Sequence, residues 1–207
     1  MLVGRAQAAL RAAHGRRRVF RVAEDSDRRR DLDAAWNEAF GDCVPDGAAL
    51  RSQLPERWAR FHIRGARDAG SDAEATVVLR ALLDDLRGED GRPVRVVVEE
   101  YGAADLFGGW SRALPIDLFP WRRESREHRG PTAFSWASDT GVRQAALDAV
   151  LRSAVEERGY AIITDDRTSW AFCPYFAGVD VIFASAAERD EFVGRHGDLR
   201  PKDAPGL

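Results

Sequence analysis

The chain is poor in sulfur and nearly devoid of lysine. Its 207 residues include two cysteines and one methionine, and Lys202 is the single lysine. Cys43 and Cys173 are far apart, with no Cys or His at metal-ligand spacing. That excludes a disulfide framework and the common zinc patterns, and makes a reduced, cytoplasmic protein the simplest reading. No stretch approaches the ~18 consecutive apolar residues of a membrane span. A formal charge of −3 provides no field to gather nucleic acid or an anionic membrane. No serine sits in a Gly-x-Ser-x-Gly elbow, and no helix opening with Lys-Ser/Thr follows Gly102 or Gly108-Gly109. Elbow-type hydrolysis and phosphate-loop chemistry are therefore absent from the motifs, and no cofactor or metal is expected.

What is present is an ordinary globular composition, with 44% hydrophobic and 31% charged residues. A chain of this size buries roughly 70% of its unfolded surface without metal or disulfide staples. Residues 1–24 read as a weakly structured extension: the arginine cluster Arg16–Arg18 follows the apolar residues, the reverse of a signal peptide. Residues 25–207 read as one domain.

The elements follow from periodicity. Asp25-Ser26-Asp27 caps a helix through Phe40 with Leu32, Trp36 and Phe40 on one face. Arg57–Ile63 alternates Ala59, Phe61 and Ile63 with Trp58, Arg60 and His62, a strand with one polar, aromatic face. Ser71 and Glu74 form a capping box for a helix closed by Gly88. Pro93–Glu100 is β-branched and short, the pattern of a central strand. Tyr101–Gly130 is a long Gly/Pro-rich loop whose aromatics pack part of it down. Pro131–Ala137 is a strand, and Thr140 caps a helix to Arg158. Tyr160–Thr164, Ser169–Cys173 and Val179–Ala184 form a strand meander, with Asp165-Asp166-Arg167 as its first turn, and Ser185 opens a last helix. The fold class is α+β: a mixed, largely antiparallel sheet of about six strands with helices on one face. The β-α-β, loop, β-α-β order admits an elaborated ferredoxin-like βαββαβ core, although order alone does not set topology.

Two groups of residues converge. Arg60, His62 and Asp180 form one candidate constellation, because a histidine titrates near neutral pH and guanidinium groups grip carboxylate or phosphate in a bidentate way. Arg64 and Arg67 extend it toward an anion site. The bland alternative is a hydrogen-bonded strand histidine and arginines paired with Glu99 or Asp165. Asp180 interrupts a β-branched strand after Gly178 and needs either solvent or a partner. Asp165-Asp166 with Asp180 and Glu99-Glu100 could gather carboxylates around Mg²⁺, but adjacent aspartates between two strands are first of all turn formers. The second group is aromatic. Trp58, Trp110, Trp121, Trp170, Tyr175 and Phe176 are candidate contacts for a partner, since Trp and Arg are enriched where binding energy concentrates. Sealing of loops onto the sheet is the competing role.

The segments Trp58-Ala-Arg-Phe-His62 and Pro174-Tyr175 with Gly178-Val-Asp180-Val-Ile182 and Glu188-Arg-Asp190 resemble a bacterial family described as a domain of unknown function. The likeness runs from about Leu32 to a chain end at Pro205-Gly206-Leu207. It implies a small cytoplasmic α/β domain and no particular reaction. Two loops depart from the family pattern: Phe176-Ala177 stands where the family has Asp-Gly, and Ile63–Ser71 differs throughout. The functional expectation is a non-enzymatic, cytoplasmic domain that binds a protein partner, of the immunity or antitoxin kind. The alternative is a small enzyme or binding protein acting on a phosphate- or carboxylate-bearing small molecule through Arg60, His62 and Asp180.

Overall fold

The computed structural model describes residues 26–63, 71–101, 110–124 and 133–200. The extension expected over residues 1–24 and the arginines Arg64 and Arg67 lie outside the described residues.

Among the described residues seven strands form one sheet in the order β1-β7-β6-β5-β2-β4-β3, every pairing antiparallel. They are β1 (Trp58–His62), β2 (Val94–Tyr101), β3 (Leu118–Glu124), β4 (Ala133–Ser138), β5 (Tyr160–Asp165), β6 (Ala171–Tyr175) and β7 (Gly178–Ile182). Among the described residues five α-helices flank them: α1 (Asp27–Phe40), α2 (Gly47–Gln53), α3 (Asp72–Arg87), α4 (Gln144–Val155) and α5 (Ala186–Arg195). The α+β class and the antiparallel sheet agree with the sequence reading.

The first face of the sheet carries the larger core. Val94, Val96 and Val98 of β2 point there with Phe61, Phe134, Ile163, Phe172 and Val181, because side chains of alternate strand residues share a face. Over them α3 lays Leu79, Leu82 and Leu83, α4 lays Leu147, Val150 and Leu151, and α5 lays Phe192. These are the helices expected over one face. The capping box of α3 is formed: the Ser71 hydroxyl accepts from Glu74 N–H and the Glu74 carboxylate from Ser71 N–H.

The second face is covered over only part of its area. There Leu32, Trp36 and Phe40 of α1 and Leu50 of α2 pack on Val97, Phe119, Trp121, Ala137 and Ile162. Ala171 and Cys173 of β6 and Ile182 of β7 join that cluster, and among the described residues the remaining area, around Arg60, Asp180 and Tyr175, forms a concavity.

Three local differences from the sequence reading have physical causes. The ferredoxin-like order is met in one half: β4 and β5 flank β2, a split unit joined by α4, but β1 stands at the edge, separated from β2 by β7, β6 and β5. The meander β5-β6-β7 inserts itself between the strands that α3 connects. Second, α4 begins at Gln144 with Arg143 as its N-cap, and Thr140 is not the cap. The N–H groups of Gly141 and Val142 both donate to the Val94 carbonyl, and Gly141 takes φ +82°, so this segment is a turn tied to β2. Third, the stretch read as a long loop contains β3. Its bulge between Pro120 and Arg122 fits a proline that cannot donate to the ladder, and it breaks the alternation that would have marked a strand.

Candidate ligand-binding site

The open part of the second face is a concavity of about 860 Å³, within the range of small-molecule sites, roughly 300–1,000 Å³. Strand register builds its floor. Arg60 of β1 stands opposite Asp180 of β7, and Asp180 opposite Cys173 of β6. Ile162 of β5 stands opposite Val97 of β2, and all five residues line the cavity. The floor therefore runs from charged at the β1 edge to apolar at the sheet centre. A neighbouring row holds Gly178 opposite Tyr175 and Tyr160 opposite Glu99.

At the charged end, Arg60 donates to Asp180 through Nε (2.7 Å) and Nη2 (2.8 Å), a bidentate pair. Arg51, from α2, donates from Nη1 to the same carboxylate at 3.0 Å. Asp180 is 6% exposed, so its charge depends on these partners. The Arg60 guanidinium also lies 5.4 Å from the Trp58 ring and 5.5 Å from the Tyr175 ring, and Arg51 lies 5.7 Å from Trp58. Cation–π contacts of this kind help to fix a guanidinium plane. The hydrogen bond to Asp180 raises the Arg60 pKa above its ordinary value, so the group stays cationic.

The neighbouring groups are neutral donors. Burial, together with the Asp180 charge, pushes the Tyr175 phenol up to about 12. Its hydroxyl and the Trp58 indole N–H are enclosed without a hydrogen-bond partner. Burial likewise pushes the Cys173 thiol well up, which suits the small apolar side chain expected there and not a nucleophile. A Cβ at Gly47 would come within 3.2 Å of the Cys173 Cβ, so the start of α2 seats directly on this floor.

The far end is acidic and aromatic. Glu99 is buried and accepts from the Tyr101 hydroxyl, and Glu157 stands nearby on the cavity wall. Arg158, also on the wall, is paired with Glu156 at 2.6 Å. Tyr101, Tyr160 and Phe176 rim the opening, and they account for three of the four large hydrophobic side chains that stay exposed among the described residues. Exposed aromatics gathered at one concavity mark a contact surface better than scattered ones do.

The structure sorts the sequence candidates accordingly. Arg60 and Asp180 meet. His62 shares their face, opposite Gly178, but does not line the cavity. Tyr175 and Phe176 belong to the site, and Trp58 supports its arginines. Trp121 and Trp170 do not: Trp121 is fully buried against Trp36, its Nε1–H donating to Asp33 at 2.9 Å, and Trp170 lies in the first-face core. Neither lines this cavity. Trp110 is half-buried over Gly159, where a Cβ would fall 2.0 Å from its ring. Asp165 is the turn former expected, accepting from Ser169 N–H at 2.7 Å.

Arg51, Glu99 as a cavity wall, Tyr101 and Tyr160 were missed as site residues. Arg51 sits on a seven-residue helix with no motif. The two tyrosines end or begin strands, and only the β2–β5 register brings them together.

A family profile matches residues 47–203, which takes in the site from Gly47 onward and leaves α1 outside. No curated protein and no solved structure matches the chain.

Proposed function

The chain belongs to the family described as a domain of unknown function (DUF3885), and from that premise we propose that it is a binding protein for an anionic small molecule. The observation that carries this reading is the Arg51–Asp180–Arg60 cluster at one end of an apolar, aromatic-rimmed cavity. Convergent polar groups at one end of an otherwise apolar concavity fix orientation, while the floor and rim supply contact area. The ligand's anionic group meets the arginines, and its body lies along Cys173, Ile162 and Val97 beneath Tyr160 and Phe176. The two separate free thiols suit the reducing cytoplasm of a bacterium as its compartment. Among the described residues no helix is long and apolar enough to cross a membrane.

Equilibrium dialysis against a panel of aromatic carboxylates and phosphate monoesters tests this reading. At least one compound should be retained, and the Arg51→Ala/Arg60→Ala double variant should lose it. Retention of none would sink the proposal.

A second reading keeps the protein partner of the immunity or antitoxin kind, with the same concavity receiving a segment of that partner. Phe176, 44% exposed at the rim, favours it. Co-purification with products of neighbouring genes, repeated with Phe176→Glu, tests it. An unchanged complex in the variant would remove the rim from the interface.

A further inference from the structure

Resting on the small-molecule reading above, we infer that the ligand is a monoanionic carboxylic acid with an uncharged planar or aromatic body, and not a phosphate ester. The argument is one of charge and donors. Two guanidinium groups share one carboxylate: Asp180 takes Nε and Nη2 of Arg60 and Nη1 of Arg51. The pair of arginines carries one positive charge beyond what Asp180 neutralises, and Asp46 on the same wall, its carboxylate accepting from the Ala48 and Ala49 N–H groups, adds a negative charge nearby; this end therefore offers at most one surplus positive charge, enough for a single negative charge on the ligand. A phosphate monoester dianion would leave one charge uncompensated in a partly desolvated site, and buried unpaired charge is costly.

The groups around the arginines reinforce the count. The Tyr175 phenol stays protonated, so it contributes no charge. Its enclosed hydroxyl has no acceptor, and a small rotation toward a carboxylate oxygen held by Arg51 and Arg60 would supply one. Arg51 commits only Nη1 to Asp180 and keeps its other donors for the ligand, with 37% of its side chain exposed. At the far end of the cavity Glu99 and Glu157 repel a second negative charge. The floor between the ends, Cys173, Ile162 and Val97, offers no hydrogen-bonding partner to a polar body. From the β7 strand to the β2 strand the floor spans three inter-strand spacings, about 14 Å, ample for a fused aromatic ring system.

The test compares three compounds with one body: 2-naphthoate, 2-naphthyl phosphate and 2-naphthamide, titrated by calorimetry into the full chain at pH 8. The inference expects 2-naphthoate to bind at least tenfold tighter than either of the others, and its affinity to fall at least tenfold in Arg51→Ala and severalfold in Tyr175→Phe. If 2-naphthyl phosphate binds as tightly as 2-naphthoate or tighter, the charge count is wrong while the anion-binding reading survives. If the amide equals the carboxylate, the arginine end takes no anion and both fall. If 2-naphthoate binds equally well to Arg51→Ala and Tyr175→Phe, its carboxylate lies elsewhere and the inference is overturned. The comparison of compounds on the unaltered protein stands whether or not a variant folds.

Discussion

The two faces of the sheet differ in what their residues are asked to do. On the first, α3, α4 and α5 cover an apolar surface in which Phe61, Phe134 and Phe172 are enclosed. On the second, α1 and α2 cover part of the area, and the rest carries a two-arginine, one-aspartate cluster and exposed aromatics. The same strands serve both faces, since Phe61 and Arg60 are adjacent in β1. Alternation along a strand lets one short segment be core and site at once, so stability and binding should separate cleanly by residue parity.

The largest effect expected from that separation is on the first face. Phe61→Ala removes an aromatic ring that packs edge-on against Phe192 at 5.4 Å, and should cost about 3–5 kcal/mol in urea unfolding. The 2-naphthoate affinity of the folded fraction should stay unchanged. A parallel loss of affinity would break the division between faces.

Asp180→Asn comes next. It leaves two guanidinium groups sharing a neutral amide, and the loss of charged hydrogen bonds should cost about 2 kcal/mol. Here the second face should also change its ligand preference. With the local charge raised by one, 2-naphthyl phosphate should gain on 2-naphthoate by tenfold or more in calorimetry. An unchanged ratio would mean that Asp180 does not set the charge of the site.

The smallest stability effect is expected for Tyr175→Phe, within about 0.5 kcal/mol at pH 7, because the hydroxyl removed has no partner to lose. Its signature is alkaline. Because the folded pKa of this phenol is raised from 10.0 to about 12, it leaves stability undiminished below pH 10.0 and lowers it as pH rises from there through about 12, where the unfolded chain ionises first. The variant should lose a phenolate step near pH 12 in absorbance titration and show a shallower alkaline decline in stability. A titration curve identical to that of the unaltered protein would refute the buried, neutral phenol.

The contrast also explains what could be read from the chain. The first face was legible because its helices announce themselves locally: Ser71 and Glu74 cap α3, and Leu79, Leu82 and Leu83 repeat at helical spacing. In β1, the alternation of Trp58, Arg60 and His62 with Ala59 and Phe61 gave the polar face, and Asp180 was singled out because a carboxylate in a β-branched strand needs a partner. That partner proved to be Arg60, joined by Arg51. What was hidden depends on register. No local pattern says that β6 and β7 insert between β1 and β5, or that Tyr160 will stand opposite Glu99. Trp121 was misleading for a related reason. Its flanking Pro120 and Arg122 look like loop residues, yet the bulge between them turns the indole inward onto Trp36 and Asp33.

The central claim is that the uncovered part of the second face is a ligand site. Amide chemical-shift mapping during titration with 2-naphthoate examines it most directly. The account predicts perturbations confined to the start of α2, β1, the end of β2, the end of α4 with the turn into β5, and the β6–β7 hairpin around Tyr175 and Asp180, with α3 and the start of α4 silent. Perturbations centred on α3 and the start of α4, or scattered over the surface without a cluster at Arg60 and Asp180, would contradict it.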